Sequence, residues 1–287
     1  MTFSIVAHAD GQWGVAVASK FLAVGAAVPA ARWDVGAVAT QAFANLAYRP
    51  EGLRLMAEGR SAAEVVAALT ADDPMASQRQ VGVVDRSGAA ATFTGPYCFA
   101  WAGGRTGDGF ATQGNILTGP EVLDAVAAAF ETSEGPLPRR LAEALLAGDR
   151  AGGDRRGRQS AALLVVSEAG GYGGGSDVLV DLRVDDHADP VPELLRLLDL
   201  HHLYFGKPEE VLPLEGALAD EVRERLQRLG FSSLDDWAGV ENFEERMVPD
   251  GLRRPGLPPA APRRAGWPAV LRCSRRLLRS RRPPRGQ

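Results

Sequence analysis

The chain has 287 residues, of which 45% are hydrophobic and 24% are charged. This composition is typical of soluble globular proteins, and the length allows one large core or two domains. No apolar run is long enough to cross a membrane and the first residues do not resemble a secretory signal, so we expect a cytoplasmic protein without a membrane partner. Cys98 and Cys273 lie too far apart in the sequence to indicate a disulfide framework or a metal site.

The charge is divided unevenly along the chain. Residues 252–287 contain eleven of the 32 basic residues and no acid, so residues 1–251 hold 21 basic residues against 36 acidic ones. An acidic body disfavours nucleic acid as a partner. The Arg- and Pro-rich tail, residues 251–287, is predicted to be disordered. It could be an electrostatic arm for nucleic acid or membrane, but we favour a dispensable extension.

The first half of the chain predicts strands joined by hairpins and one pair of helices. Asp10-Gly11 is a strong hairpin signal, and Ser61 with Glu64 forms a capping box at the start of the second helix. The predicted strands are 3–8, 13–18, 36–43, 79–85, 89–95 and 110–115, and the predicted helices are 48–59 and 61–74.

The second half predicts another helix pair, a hairpin and a long amphipathic helix. The helices are expected at 121–131, 137–147 and 191–205, and the strands at 160–169 and 177–185. Hairpin-linked strands with paired helices argue against a doubly wound parallel sheet and favour an α+β fold over residues 1–205. Residues 209–250 are predicted to form a small helical module.

The residue behind the initiator Met is the first candidate for chemistry. Methionine removal is efficient before a small residue such as Thr2, and it would place a hydroxyl and a free amine on one residue. An α-amino group has a pKa of about 7.7–8.0, so part of it can accept the hydroxyl proton near neutral pH. The alternative is that Thr2 only favours efficient processing.

Several stretches resemble one bacterial family, domain-of-unknown-function family 1028, which is grouped with the N-terminal-nucleophile hydrolases. The resemblance covers roughly residues 1–205 and rests on MTFSIVA, GVAVASKFLAVGAAVPAAR, GAVATQAFAN, QGNILTGPEVL, AGGDRRGRQSAALLVV and YGGGSDVLVDLRVDDHADPVPELLRLL. It implies a four-layer αββα sandwich with Thr2 as nucleophile. Residues 209–250, with DDWAGVENFEERM, resemble more weakly a small peptidoglycan-binding module.

The resemblance also suggests roles for residues near the strand ends. Ser19 and Lys20 follow the second strand, where the proteasome-like branch places an acid that this chain lacks. Arg32 lies where that branch keeps a cation. Further positions are assigned to the oxyanion site or the mouth of the pocket: Thr40, Gln41, Asn45 and Asn115. Asn115 belongs to a polar stretch that could equally be a loop.

The stretch AGGDRRGRQS, residues 151–160, is the densest polar cluster. Arg155, Arg156 and Arg158 offer forked donors for a carboxylate or phosphate, while Asp154 and Ser160 could orient the free amine. A P-loop is excluded because Arg158-Gln159 replaces the required Lys-Ser/Thr and a strand follows. The loop could instead only pair with the acidic body.

The sequence therefore favours an amidohydrolase that acts on a small anionic amide-type metabolite, and we expect no metal and no other cofactor. A non-catalytic binding protein or assembly subunit on the same scaffold is the alternative. Peptidoglycan would be a partner only of an exported protein. The oligomeric state stays open, and a homo-oligomer is compatible with the sequence.

Overall fold

The computed structural model describes residues 2–206, 213–243 and 247. The chain divides into two compact units, Met1–His201 and His202–Gln287. The predicted basic tail lies outside the described residues. No described helix is long and apolar enough to cross a membrane.

Ten strands form the framework of the first unit. Their bounds are β1 Thr2–Ala9, β2 Gln12–Ser19, β3 Pro29–Arg32, β4 Gly36–Ala42, β5 Arg79–Asp85, β6 Ala90–Thr94, β7 Gly103–Gly107, β8 Phe110–Asn115, β9 Ser160–Val166 and β10 Val178–Val184.

Eight helices are found in the described part of the chain. Their bounds are α1 Val24–Ala27, α2 Tyr48–Ala57, α3 Ala62–Ala71, α4 Glu121–Thr132, α5 Leu137–Arg150, α6 Pro190–Phe205, α7 Gly216–Leu229 and α8 Leu234–Glu241. The capping box predicted at Ser61 and Glu64 is present at the start of α3.

The strands make two antiparallel sheets. The first has six strands in the order β10-β9-β2-β1-β8-β7, and the second has four in the order β3-β4-β5-β6. Thus β1 lies between β2 and β8, and it packs across the interior against β4 and β5. The mixed α/β class with antiparallel sheets agrees with the sequence prediction.

Three clusters of apolar side chains form the core. They form because successive side chains along a strand point to opposite faces of its sheet. Phe3 and Ile5 of β1 face α4, α5 and α6 on the outside of the first sheet. Val6 faces the second sheet in a cluster of small and β-branched residues. Val38 of β4 packs against α2 and α3 on the outside of the second sheet. Helices therefore cover the outer face of each sheet.

Three short elements were missing from the sequence prediction. Helix α1 and strand β3 have only four residues each, too few to give a readable period. Strand β7 has the sequence GGRTG, which was interpreted as a polar stretch because glycine is depleted in strands. Pairing with β8 makes it a strand.

Candidate active site

Thr2 begins β1 and its side chain faces the interior between the two sheets. The residue is 6% exposed. Ser4, two positions later, bonds to Gln41 of the second sheet, and residues two apart on a strand share a face. The Thr2 hydroxyl lies 3.1 Å from the hydroxyl of Ser19 at the end of β2. The structure thus brings the two predicted residues Thr2 and Ser19 together.

A buried polar network connects the sheets directly behind Thr2. Gln41 Nε2 donates to the Thr2 carbonyl at 3.3 Å and to Gln80 Oε1 at 2.8 Å. Gln113 Nε2 donates to Ser4 Oγ at 2.6 Å, and Ser4 Oγ donates to Gln41 Oε1 at 2.7 Å. Asn115 Nδ2 donates to Gln80 Oε1 at 2.9 Å. These contacts join β1 and β8 to β4 and β5 beneath the candidate nucleophile.

The network is packed without spare room. A Cβ atom on Gly82 would lie 2.0 Å from Gln113 Oε1, so glycine is required where β5 passes beneath that amide. Ser4, Gln80 and Gln113 are each 0% exposed. A buried polar group that loses its hydrogen-bond partner carries a desolvation penalty. The network therefore holds the start of β1 in one geometry.

Replacing Gln41 with Leu should lower the free energy of unfolding by about 2–4 kcal/mol, because buried groups of Ser4, Gln80 and Thr2 lose partners at about 1–3 kcal/mol each. Urea unfolding followed by circular dichroism measures this. Gln12→Leu is the matched control, since the buried Oε1 of Gln12 has no hydrogen-bond partner within the described residues. Equal stability of the two variants would contradict the structural role of the network.

A loop formed by residues 152–158, here called the arginine loop, crosses the end of the sheet above β1. On one side, the Lys20 N–H donates to Asp154 Oδ2 at 2.8 Å. On the other side, the Arg155 N–H donates to the Ile116 carbonyl at 3.2 Å. Lys20 follows β2 and Ile116 follows β8, and β1 lies between those strands. The arginine loop therefore bridges over the N-terminal end of β1, where Thr2 begins.

The charges of the arginine loop are only partly balanced. Arg158 pairs with Asp149 at 2.7 Å, which raises its pKa, and Arg156 pairs with Asp154 at 3.3 Å. The guanidinium of Arg155 is exposed and has no hydrogen-bond or ion-pair partner in the described part of the chain. Lys20 Nζ donates to the Arg158 carbonyl at 3.2 Å and adds a further positive charge.

Ile116, the residue to which the loop is tied, has a left-handed backbone with φ 49°. This conformation is strained for a β-branched side chain. Bonds on both sides hold it, because its N–H donates to the Phe99 carbonyl at 2.8 Å and its carbonyl accepts from Arg155. Strained residues that are held in this way cluster at functional sites.

The model of the Family of unknown function (DUF1028) matches residues 2–194. The chain belongs to this family. Residues 204–254 match a second model, described as "Putative peptidoglycan binding domain".

A solved structure of the same family is also similar to the chain. It is the crystal structure of protein SPO2555 from Silicibacter pomeroyi, family-model DUF1028, whose sequence is 30% identical to this chain. The match covers 77% of this chain and 93% of the SPO2555 chain, with a TM-score of 0.64. No curated protein matched the chain. The DUF1028 resemblance predicted from the sequence is therefore confirmed.

Four of the predicted site residues of this DUF1028 chain are not brought to Thr2. Arg32 pairs with Gly36, at the far end of β4 from Gln41, a separation of about 17 Å at 3.3 Å per residue. Arg32 was expected to be a cation beside the nucleophile, and the structure does not place it beside Thr2. The other three are placed by their hydrogen bonds. The Thr40 hydroxyl of β4 donates to the Asn45 carbonyl, and the Asn45 side chain donates to Asp73. The Ser160 hydroxyl donates to the Phe21 carbonyl and accepts from the Val24 N–H.

The proposed oxyanion donors of the DUF1028 site are already engaged. The Thr40 N–H donates to the Val28 carbonyl at 3.2 Å. Gln41 Nε2 is shared among the Thr2 carbonyl, Gln80 Oε1 and the Gln113 carbonyl. The Gln41 side-chain amide is thus engaged within the buried network and is not a free donor.

Ser4 and Gln80 were not predicted, although a signal for them was available in the sequence. Thr2 and Ser4 alternate with Phe3 and Ile5 at the start of β1, so two polar side chains share one face of an otherwise apolar strand. Such a pair predicts a polar partner on the facing sheet.

Proposed function

We propose that this DUF1028 protein is an amidohydrolase of the N-terminal-nucleophile class that acts on a small anionic amide. Thr2, after removal of Met1, is the nucleophile. The observation that carries the proposal is the position of Thr2. It starts a central strand, faces the interior between two helix-covered sheets, and lies beneath a bridging loop rich in arginine.

The chemistry follows from the residue itself. The Thr2 hydroxyl attacks the amide carbonyl while the α-amine of the same residue takes its proton. Ser19 Oγ, 3.1 Å from the reacting hydroxyl, orients it. Gln41 holds the Thr2 carbonyl and so the backbone of the nucleophile. The fixed start of β1 supplies the orientation on which this kind of catalysis depends.

The arginine loop supports an anionic substrate. Arg155 is exposed above the end of β1 and offers a planar fork that matches a carboxylate. Asp154 is the anchor of the loop, because its carboxylate accepts from the N–H groups of Lys20 and Arg156 at 2.8 Å each.

A non-catalytic binding protein is the second candidate. It is favoured by the engagement of the Thr40 N–H and the Gln41 side chain, which leaves both expected oxyanion donors occupied. In that case the arginine loop would bind an anion over an inert strand end.

Intact-mass spectrometry of the native protein tests the first requirement of the enzyme. We expect the mass of the chain without Met1, with Thr2 as an unmodified N-terminal residue. A retained Met1 would leave the Thr2 nitrogen in an amide bond, unable to act as a base, and would favour the binding protein. Thr2→Lys is the control, because a large residue behind Met1 prevents its removal.

A further inference from the structure

Large apolar side chains are exposed around the strand end that carries Thr2. Nine such side chains are exposed in residues 2–201, and six of them lie in loops at this edge: Phe21, Leu22, Phe43, Leu46, Tyr97 and Phe99. The other three, Trp33, Tyr172 and Val178, lie at the opposite edge. Single exposed apolar residues are ordinary, but a concentration of them at one site indicates a contact surface.

Strand register establishes that these loops share one edge. Ser19 pairs with Ser160, Ala42 pairs with Arg79, and Gln80 pairs with Thr94. The ends of β2, β4 and β6 therefore meet the starts of β9 and β5 beside Thr2. Phe21, Phe43 and Tyr97 each follow one of those strand ends within a few residues.

Hydrogen bonds to adjacent residues place Phe43 and Tyr97 side by side, and Phe99 follows two residues later. The Phe43 N–H donates to the Gln78 carbonyl and the Tyr97 N–H donates to the adjacent Ser77 carbonyl, at 3.2 and 2.7 Å. Phe43, Tyr97 and Phe99 are 60%, 72% and 75% exposed. We call these three residues the aromatic arc.

The aromatic arc meets the arginine loop at one residue. The Ile116 N–H donates to the Phe99 carbonyl, and the Arg155 N–H donates to the Ile116 carbonyl. One side of the edge that carries Thr2 thus exposes aromatic rings, of which Phe43 lies 5.4 Å from the Arg79 guanidinium, and the other side exposes Arg155. A ligand that spans this edge would match both sides only if it were amphipathic.

We infer that the substrate is an amide that joins an apolar chain to a carboxylate-bearing group. The apolar chain lies on the aromatic arc and the carboxylate lies on Arg155, with the amide carbonyl above Thr2. This inference rests on the proposed function for its chemical step, but the recognition of the two halves rests on the surface alone.

The reaction balances with water as the only co-reactant. A bond forms between Thr2 Oγ and the carbonyl carbon, and the carbon–nitrogen bond breaks as the departing amine receives the proton held by the Thr2 α-amine. Water then attacks the ester, the bond to Thr2 Oγ breaks, and an apolar carboxylic acid leaves. The proton returned to Thr2 restores the enzyme.

Calorimetric titration of the full-length Thr2→Ala protein tests recognition without turnover. N-octanoylglycine should bind at least about tenfold more tightly than N-acetylglycine, because burying two or more methylene groups gives that factor. It should also bind about tenfold more tightly than octanamide, which lacks the carboxylate. Equal affinity for all three probes would overturn the inference.

Further substitutions in the Thr2→Ala protein test which residues bind the apolar chain and which bind the carboxylate. Replacing Phe43 and Tyr97 with Ser should remove the gain from the octanoyl chain and leave N-acetylglycine unaffected, whereas Arg155→Ala should weaken both glycine derivatives equally. Tyr172→Ser is the control for loss of an exposed aromatic residue. If the Ser variants instead keep the gain and change the sedimentation coefficient, the arc is a protein interface and the inference is wrong.

Turnover by the native protein separates this inference from the proposed function. Tight binding of N-octanoylglycine without hydrolysis would support the recognition surface and contradict the proposed enzymatic function. Hydrolysis at a rate that does not depend on chain length would support the enzymatic function and contradict the role of the aromatic arc.

Discussion

Thr2→Ala should abolish amide hydrolysis, with a fall in kcat of at least about a hundredfold, because removal of a covalent nucleophile leaves only binding and electrostatic contributions. The measurement is turnover of small carboxylate-bearing amides by native and variant protein. The native rate should also rise as the pH is raised and the Thr2 α-amine loses its proton, since the deprotonated amine is the active form. Equal turnover by the two proteins would end the assignment of Thr2.

Thr2→Ser and Ser4→Ala are the matched variants. Serine keeps the hydroxyl and the amine on one residue and still permits removal of Met1, so activity should persist. Ser4→Ala changes the next inward-facing hydroxyl on β1 without touching the nucleophile. Its main effect should be on stability, because Gln41 Oε1 and Gln113 Nε2 lose a partner.

Asp73→Asn should lower the free energy of unfolding by about 3–5 kcal/mol, the typical effect of breaking a buried ion pair. Asp73 and Arg79 lie 2.9 Å apart, and their side chains are 7% and 9% exposed. The carboxylate also accepts from Tyr48 Oη and Asn45 Nδ2. Urea unfolding of the two proteins at pH 7 measures the difference.

The same variant should change the response to acid. The bond from Arg79 holds the pKa of Asp73 well below its usual range, so folding favours the ionised carboxylate. Its contribution is complete above the unfolded pKa of about 3.9 and is lost as the pH falls. The native protein should therefore lose more stability between pH 7 and pH 3 than Asp73→Asn does.

Glu51→Gln is the matched control for the ion pair. Glu51 bonds to Arg54 on the surface of α2, where the two side chains are 45% and 52% exposed. Because solvent screens such pairs, the change should stay within about 1 kcal/mol. A similar loss of unfolding free energy in both variants would show that the Asp73–Arg79 pair contributes no more to stability than a surface ion pair.

Local signals predicted most elements of the fold. The hairpin at Asp10-Gly11 forms with positive φ at both residues, as the dipeptide predicts. The helix pairs and most strands follow from periodicity and caps. By contrast, Gly103–Gly107 forms a strand by pairing with β8, although three of its five residues are glycine, which is depleted in strands.

The site was only half predictable for a related reason. Thr2 and Ser19 could be paired because a hairpin connects their strands. Arg32 was misplaced because its role depended on which end of β4 faces Thr2, and strand register is a property of the assembled sheets. The arginine loop spans from Lys20 to Ile116 because the strand order is β2-β1-β8, and no local sequence pattern contains that order.

The arch of residues 152–158 has a practical consequence for expression of this protein. A peptide attached ahead of Thr2 would be joined to the chain at the strand end that the arginine loop crosses. An affinity tag at the amino terminus would block methionine processing and leave the Thr2 nitrogen in an amide bond. Activity screens should therefore use protein purified through its other terminus, or an inactive preparation will be mistaken for an inactive fold.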